Sequence, residues 1–359
     1  MQISVEDMRD DQRKTMADPA ALGFGRYYAD RMLVRYYRAG RGWEDPRIER
    51  YHDLALDPAA RVLHYSQEIF EGLKAYPSDD GRILLFRPER NAARFNRSAA
   101  RMCMPTLPEE EFLACVSALV LAEKRWLPRA PGTSLYIRPT MIGHEPALGV
   151  HPSSDYIFYI ILSPVGAYFK EGFKPVRLYV EEEYVRAAVG GVGDVKTGGN
   201  YAASLLAGAK AEEKGFSQVL WLDARERRYV EEVGAMNMFF VFGGRRLVTP
   251  ALNGSILAGI TRDSVLRLAA ALGYEAEERP IAIDEVVEGI QNGSLTEAFG
   301  AGTAAVVAPV GSLHYQGRDY PITGEQAGPV ARRLFDELVG IQYGRLPDPF
   351  GWVREIGRI

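Results

Sequence analysis

Hydrophobic and polar positions along the chain switch repeatedly between a two-residue and a helical period. RILLF (82–86) is a short apolar run that predicts a strand, and Arg87-Pro88 opens a helix running to about Cys103. PEEEFLACVSALVLAEKRWL (108–127) predicts a second helix. Phe112, Leu113, Val116, Leu119 and Val120 recur there at helical spacing behind an acidic first turn. SLYIRPT (134–140) and DYIFYIILS (155–163), rich in aromatic and β-branched residues, predict strands.

FKEGFKP (169–175) is polar and punctuated by Gly and Pro, and it reads as an interdomain linker. After it, VRLYVEE (176–182) predicts a strand and NYAASLLAGAKAEEKG (200–215) a helix. QVLWLD (218–223), RYVEE (228–232) and NMFFVF (237–242) predict strands. A helix starts near Thr261 and continues through RDSVLRLAAALG, its small polar start suiting a cap. SLTEAF (294–299) and TAAVVAPV (303–310) predict strands around a tight glycine turn. Strands and helices alternate in both halves, which predicts an α/β or α+β fold in two domains, 1–168 and 176–359.

Composition narrows the function classes. With 359 residues, 47% hydrophobic and 25% charged, the chain matches an ordinary globular protein. A net charge of −4 argues against nucleic acid as the main partner. No apolar run reaches the roughly 18–20 residues of a membrane span, so no membrane partner is expected. The N-terminal MQISVEDMRDDQRKTMADP has no apolar core of a signal peptide. The only cysteines, Cys103 and Cys115, form neither a disulfide framework nor a zinc motif, which points to a reducing cytoplasm. The five histidines lack metal-site spacing, and no metal is expected.

The chemistry centres on GGVGDVKTGGNY (190–201). A phosphate-binding loop needs glycine before its lysine, and Val195 occupies that position. GAGTAA (300–305) fits a dinucleotide pattern, but the strand-like TAAVVAPV with Pro309 supplies no helix start for a pyrophosphate. Small residues around Lys196 instead suit an amine that must reach an aldehyde carbon beside a flat ring, as a Schiff-base lysine for pyridoxal phosphate does. A solvated loop lysine is the plain alternative. Glu231 and Glu232 are adjacent in a strand, so one of them is expected to face inward, where a protonated pyridine would balance its charge. The Ile260 and Thr261 amides at a helix start suit phosphate, although simple capping explains them equally.

Eight segments in one order resemble the branched-chain amino-acid aminotransferases, which are fold-type IV pyridoxal-phosphate enzymes. They are FEGLKAY (70–76), FRPERNAARF (86–95), GTSLYIRP (132–139), PVGAYF (164–169), GGVGDVKTGGNY (190–201), EVGAMN (232–237), LNGSILAGITRDS (252–264) and EAFGAGTAAVVAPV (297–310). The resemblance runs from about Phe24 to Tyr343. It implies a smaller N-terminal open α/β domain and a larger C-terminal pseudo-barrel domain that binds the cofactor. Lys196 would form the Schiff base and shuttle the proton, Tyr201 would meet the ring phenolate, and Glu232 the pyridine nitrogen. Arg94, the Ile260 and Thr261 amides and the Thr303 hydroxyl would bind the phosphate, and Leu257 would pack on the ring.

Arg138 would take the side-chain carboxylate of glutamate or 2-oxoglutarate, and the Thr303 and Ala304 amides the α-carboxylate. Phe24, Tyr65, Phe70, Tyr136, Val150 and Tyr168 would enclose the aliphatic side chain of leucine, isoleucine or valine. Tyr65 and Val150 would do so across the interface of a homodimer. The implied reaction is reversible transamination between these amino acids and 2-oxoglutarate, in amino-acid biosynthesis or breakdown. A D-amino-acid aminotransferase and an aminodeoxychorismate lyase share the lysine–glutamate pair and differ in the pocket. Ala305 and Ala308 stand where animal members carry a Cys-x-x-Cys pair, which rules out a thiol switch at those positions.

Overall fold

The computed structural model describes residues 1–166 and 173–359, and these form two compact units. The first holds residues 1–170, 195–198 and 341–359, and the second holds 171–194 and 199–340. Tyr168 and most of the expected linker lie outside the described residues.

The first unit is built on a ten-stranded sheet. Its order is Ser4–Val5, Arg47–Arg50, Arg31–Arg38, Asp155–Val165, Ser134–Gly143, Leu73–Pro77, Arg82–Phe86 and Val353–Arg358, with Gly42–Trp43 paired to Arg31–Arg38 and Glu68–Phe70 to Ser134–Gly143. Period-two alternation divides the sheet into two faces with different tasks. Ile69, Leu73, Leu135, Ile137, Met141, Phe158 and Ile160 point into a core shared with Phe95, Phe112, Val116 and Leu119 of the helices Pro88–Arg101 and Glu109–Ala122. The residues between them, Phe70, Lys74, Tyr136, Arg138 and Thr140, therefore share the opposite face.

The second unit carries a nine-stranded sheet. Six of its strands run in the order Val230–Val233, Gln218–Leu222, Val176–Val180, Val306–Tyr315, Leu295–Gly302 and Met236–Phe242. The last pairs back onto the first through Glu232↔Asn237 and Val233↔Met236, closing a barrel as the resemblance implied. Val176–Val180 is parallel to both of its neighbours, and the remaining pairs of the ring are antiparallel. The barrel interior is apolar, filled by Leu178, Leu220, Met238, Phe240, Val310 and Leu313 among others.

Three expectations change. Residues 176–359 are not one unit: Val353–Arg358 adds an edge strand to the first sheet through Arg82–Phe86, and Val195–Gly198 packs there as well. The first unit, expected to be the smaller, consequently takes the greater length of chain. The helix expected over 200–215 breaks into Gly198–Ala202 and Leu205–Glu213, with the Ser204 hydroxyl donating to the Tyr201 carbonyl at the break (2.7 Å). Around the glycine turn the strands run Leu295–Gly302 and Val306–Tyr315, so the glycines belong to the first strand. Cβ atoms at Gly300 or Gly302 would press on Met236 of the neighbouring strand.

Phe158 stacks edgewise or tilted against Phe95 and Phe112 (centroids 5.5 and 6.1 Å) and is fully buried. Phe158→Ala is expected to destabilise the protein by about 3–5 kcal/mol. Chemical unfolding followed by fluorescence checks this as a lower midpoint at an unchanged slope.

Candidate active site

In the first unit the lysine segment is docked onto the strand Glu68–Phe70. The Phe70 amide donates to the Lys196 carbonyl (3.1 Å), the Thr197 hydroxyl to the Glu68 carbonyl (2.8 Å), and the Lys196 amide to the Ser98 hydroxyl (3.0 Å). These bonds pin the lysine backbone, and its Nζ lies 4.6 Å from the centre of the Phe70 ring. They also turn Thr197 inward, where it cannot serve a phosphate-bound metal ion. Burial pushes the Lys196 amine down, the Arg94 charge adds to this, and the result is about 8 although Glu71 opposes.

Next to Phe70, Glu71 is wholly buried and grips Arg94 with both oxygens (2.7 and 2.9 Å). The Asn91 amide (2.7 Å) and the Gly72 backbone N–H (3.1 Å) also donate to it. Burial works against ionising Glu71, but Arg94 and these donors outweigh it and hold the carboxyl below its ordinary value. Arg94 thus has its guanidinium plane set by protein alone, with its position on the helix Pro88–Arg101 as expected.

Tyr136 and Arg138 lie two apart on Ser134–Gly143 and face the same way. One Arg138 terminal nitrogen donates to the Tyr136 hydroxyl (3.0 Å), and the guanidinium lies 4.7 Å over Phe70 and 5.2 Å over Tyr136. Its Nε is buried and has no partner among the described residues. Phe24 packs edge-on to Tyr136 (4.9 Å). A Cβ on Gly72 would run into the Tyr136 hydroxyl, so glycine is required beside this cluster. Phe24, Phe70, Tyr136, Arg138 and Lys196 therefore come together as expected. Tyr65 and Val150 do not join them in one chain. The Tyr65 hydroxyl bonds the Leu148 carbonyl (2.5 Å), and Val150 is 87% exposed.

The second unit organises the expected carboxylate. Strand alternation predicts that only one of Glu231 and Glu232 faces inward, yet both are buried because each side of the strand supplies donors. Glu231 accepts from Ser255 and from Asn253 (3.2 Å). Glu232 accepts from the Leu257 amide (2.9 Å) and is ion-paired with Arg186 (2.9 Å). Arg186 also donates to the carbonyls of Gly193 and Ser255, tying the glycine loop to the Leu257 loop. A side chain at Gly193 would strike Ser255, which explains that glycine. Asn237 donates to the Leu257 carbonyl (2.9 Å), so both backbone groups of Leu257 are held by this strand pair.

Ile260 begins a twelve-residue helix whose cap, Gly259, has no side chain to occupy its first amides. Those N–H groups, with Thr261, form a donor set suited to an anion. Thr303 and Ala304 sit in the turn between two barrel strands, half-buried, and Tyr201 is half-buried on Gly198–Ala202. The chemistry in each unit fits pyridoxal phosphate: the first supplies a buried lysine amine near 8, and the second a buried carboxylate paired with arginine and a helix N-terminus. Among the described residues no cluster of three or more His, Cys, Asp or Glu could hold a metal ion.

Sequence reasoning does not single out Glu71, Asn91, Ser98, Arg186 and Asn237. Glu71 and Asn237 lie inside quoted motifs and could have been found there, whereas Arg186 follows no pattern. The Lys196 geometry predicts that, in protein freed of cofactor, acylation of this amine rises with a midpoint near pH 8, because the neutral form accumulates above that value. Quantitative peptide mapping against surface lysines, which titrate near about 10.4, measures it.

The class IV amino-transferase family model matches residues 68–313. A branched-chain-amino-acid aminotransferase 2 of Bacillus subtilis (strain 168) is 54% identical over 347 residues, spanning 97% of this chain and 95% of the relative. A solved branched-chain amino acid aminotransferase from T.th. with pyridoxamine 5'-phosphate aligns at a TM-score of 0.74 and 30% identity, covering 90% of this chain and 98% of that one. The same enzyme complexed with N-(5'-phosphopyridoxyl)-L-glutamate aligns at 0.72 and 29% over 90% and 98%. The chain belongs to the class IV aminotransferases, in the branched-chain amino-acid aminotransferase family.

Proposed function

We propose that the protein is a pyridoxal-phosphate-dependent transaminase that moves the amino group between L-leucine, L-isoleucine or L-valine and 2-oxoglutarate. The observation that carries this reading is the buried Lys196 amine, held against Phe70 and brought down to about 8. When bound, the cofactor supplies an aldehyde for amines and a ring that draws electrons from the substrate Cα. Lys196 takes the proton from Cα and returns it, a task its near-neutral basicity suits. Glu232, paired with Arg186, holds a proton on the pyridine nitrogen, and Tyr201 meets the ring oxygen. Arg94, the Ile260 and Thr261 amides and the Thr303 hydroxyl take the phosphate, while Leu257 covers the ring.

On the substrate side, Arg138 takes the distal carboxylate of glutamate through its unpartnered Nε, and the Thr303 and Ala304 amides take the α-carboxylate. Phe24, Phe70 and Tyr136 receive the aliphatic side chain. A homodimer completes the pocket with Tyr65 and Val150. Supporting this are the exposed apolar side chains of Leu63, Tyr65, Leu148 and Val150, on a helix and loop braced by the buried Arg61. A cytoplasmic setting is supported by the two free cysteines.

Borohydride reduction followed by peptide mapping is expected to place a pyridoxyl group on Lys196; its absence there would sink the enzyme reading. Lys196→Ala should lower turnover of L-leucine with 2-oxoglutarate by about 10³-fold or more. Turnover of D-alanine alone would favour the D-amino-acid aminotransferase alternative. In sedimentation, Val150→Asp is expected to shift dimer to monomer.

A further inference from the structure

Glu68 and Arg138 are opposite charges on the same face of the first sheet that do not pair. Phe70 is registered with Thr140 and Lys74 with Tyr136, so Arg138 stands opposite Gly72 and Glu68 opposite Ile142. The side of Gly72 is filled by the Tyr136 hydroxyl, to which Arg138 donates. From there the guanidinium leans over the Phe70 ring, which lies between it and Glu68 in the register. Neither charge has an ion-pair partner among the described residues, and the Arg138 Nε meets no acceptor. Glu68 has a second attachment. Its carbonyl accepts from Thr197 (2.8 Å), its carboxylate accepts from the Gly198 amide, and a Cβ on Gly198 would collide with that carboxylate. The carboxylate is thereby parked beside the lysine segment at a fixed remove from Arg138. Burial raises its pKa, the Gly198 amide and Arg138 pull it back, and Tyr159 on the same face senses both charges.

Resting on the reading that Arg138 takes a distal carboxylate, we propose that Glu68 is a specificity-determining residue that sets the balance between aliphatic and dicarboxylic substrates. A pocket serving both faces a physical conflict. With an aliphatic side chain bound, Arg138 is a half-buried cation whose buried Nε meets no substrate charge, and a nearby counter-charge stabilises it. Glu68 supplies one from across the Phe70 ring, without contacting Arg138. With a dicarboxylate bound, the substrate takes over Arg138 through short charge-assisted bonds. Glu68 then repels the incoming charge and limits how tightly that substrate holds. This keeps either substrate from monopolising a shared site.

Glu68→Gln tests this in the holoenzyme, since glutamine retains an oxygen for the Gly198 amide and loses the charge. Calorimetric titration compares glutarate, which carries a distal carboxylate, with 4-methylpentanoate, which does not. Glutarate is expected to bind about tenfold more tightly in the variant, with 4-methylpentanoate unchanged or weaker. The KM for 2-oxoglutarate should fall relative to the KM for leucine. Glu68→Asp, which keeps the charge, should restore the wild-type ratio of the two acids. Equal shifts for both acids, or none, overturn the proposal and leave Glu68 as a structural latch of residues 197–198. Arg138→Gln separates the two readings: if it leaves glutarate binding intact, the assignment of Arg138 falls, and this proposal with it.

Discussion

The buried pair of Glu71 and Arg94 is the constraint on which the rest of the first unit's site depends. A carboxylate with no solvent exposure is tolerated because two guanidinium bonds, the Asn91 amide and the Gly72 N–H meet it. Removing one partner of such a pair costs about 3–5 kcal/mol, since the other charge is left buried and alone. The pair fixes the helix Pro88–Arg101 to the turn after Phe70. That turn places the Phe70 ring under Lys196 and leaves Gly72 beside Tyr136. Arg94 also contributes positive potential at the Lys196 amine, favouring the neutral form.

A similar economy governs the second unit. Arg186 meets Glu232, Gly193 and Ser255 at once, so one guanidinium orients a carboxylate and joins two loops. Glu231 is served by Asn253 and Ser255 on the other side of the same strand. Two adjacent buried glutamates are stable there because the loop 253–257 supplies donors to both and Arg186 pairs with Glu232. Each unit thus contains a charged group held ready by a protein partner, which limits reorganisation when charge develops on a ligand.

Much of the candidate site was legible in the sequence because its motifs are contiguous. FEGLKAY, GGVGDVKTGGNY and LNGSILAGITRDS each concentrate the required residue types within a dozen or so positions, and the helix expected near Thr261 starts at Ile260, capped by Gly259 instead of a polar side chain. Other features were hidden. The strand Arg31–Arg38 is hard to read locally because Arg35 interrupts its apolar run, although Arg35 is buried against Glu111 (2.7 Å) and the Glu44 carbonyl (2.6 Å). Val353–Arg358, charged at half of its positions, is a strand because Arg82–Phe86 offers it an edge.

By itself the sequence determined the alternation of strands and helices, the candidate for the reactive lysine, and the family to which the chain belongs. These are local matters: periodicity, capping and short motifs act within a few residues of the groups they describe. Tertiary structure alone decided that Lys196 docks on the strand Glu68–Phe70, that Glu71 rather than solvent holds Arg94, and that both glutamates of RYVEE are buried. It also decided that the C-terminal strand returns to the first sheet. The physical reason is that burial, pKa and ion pairing depend on groups scores of residues apart in the chain. Their distances are set by sheet register, which no local pattern encodes.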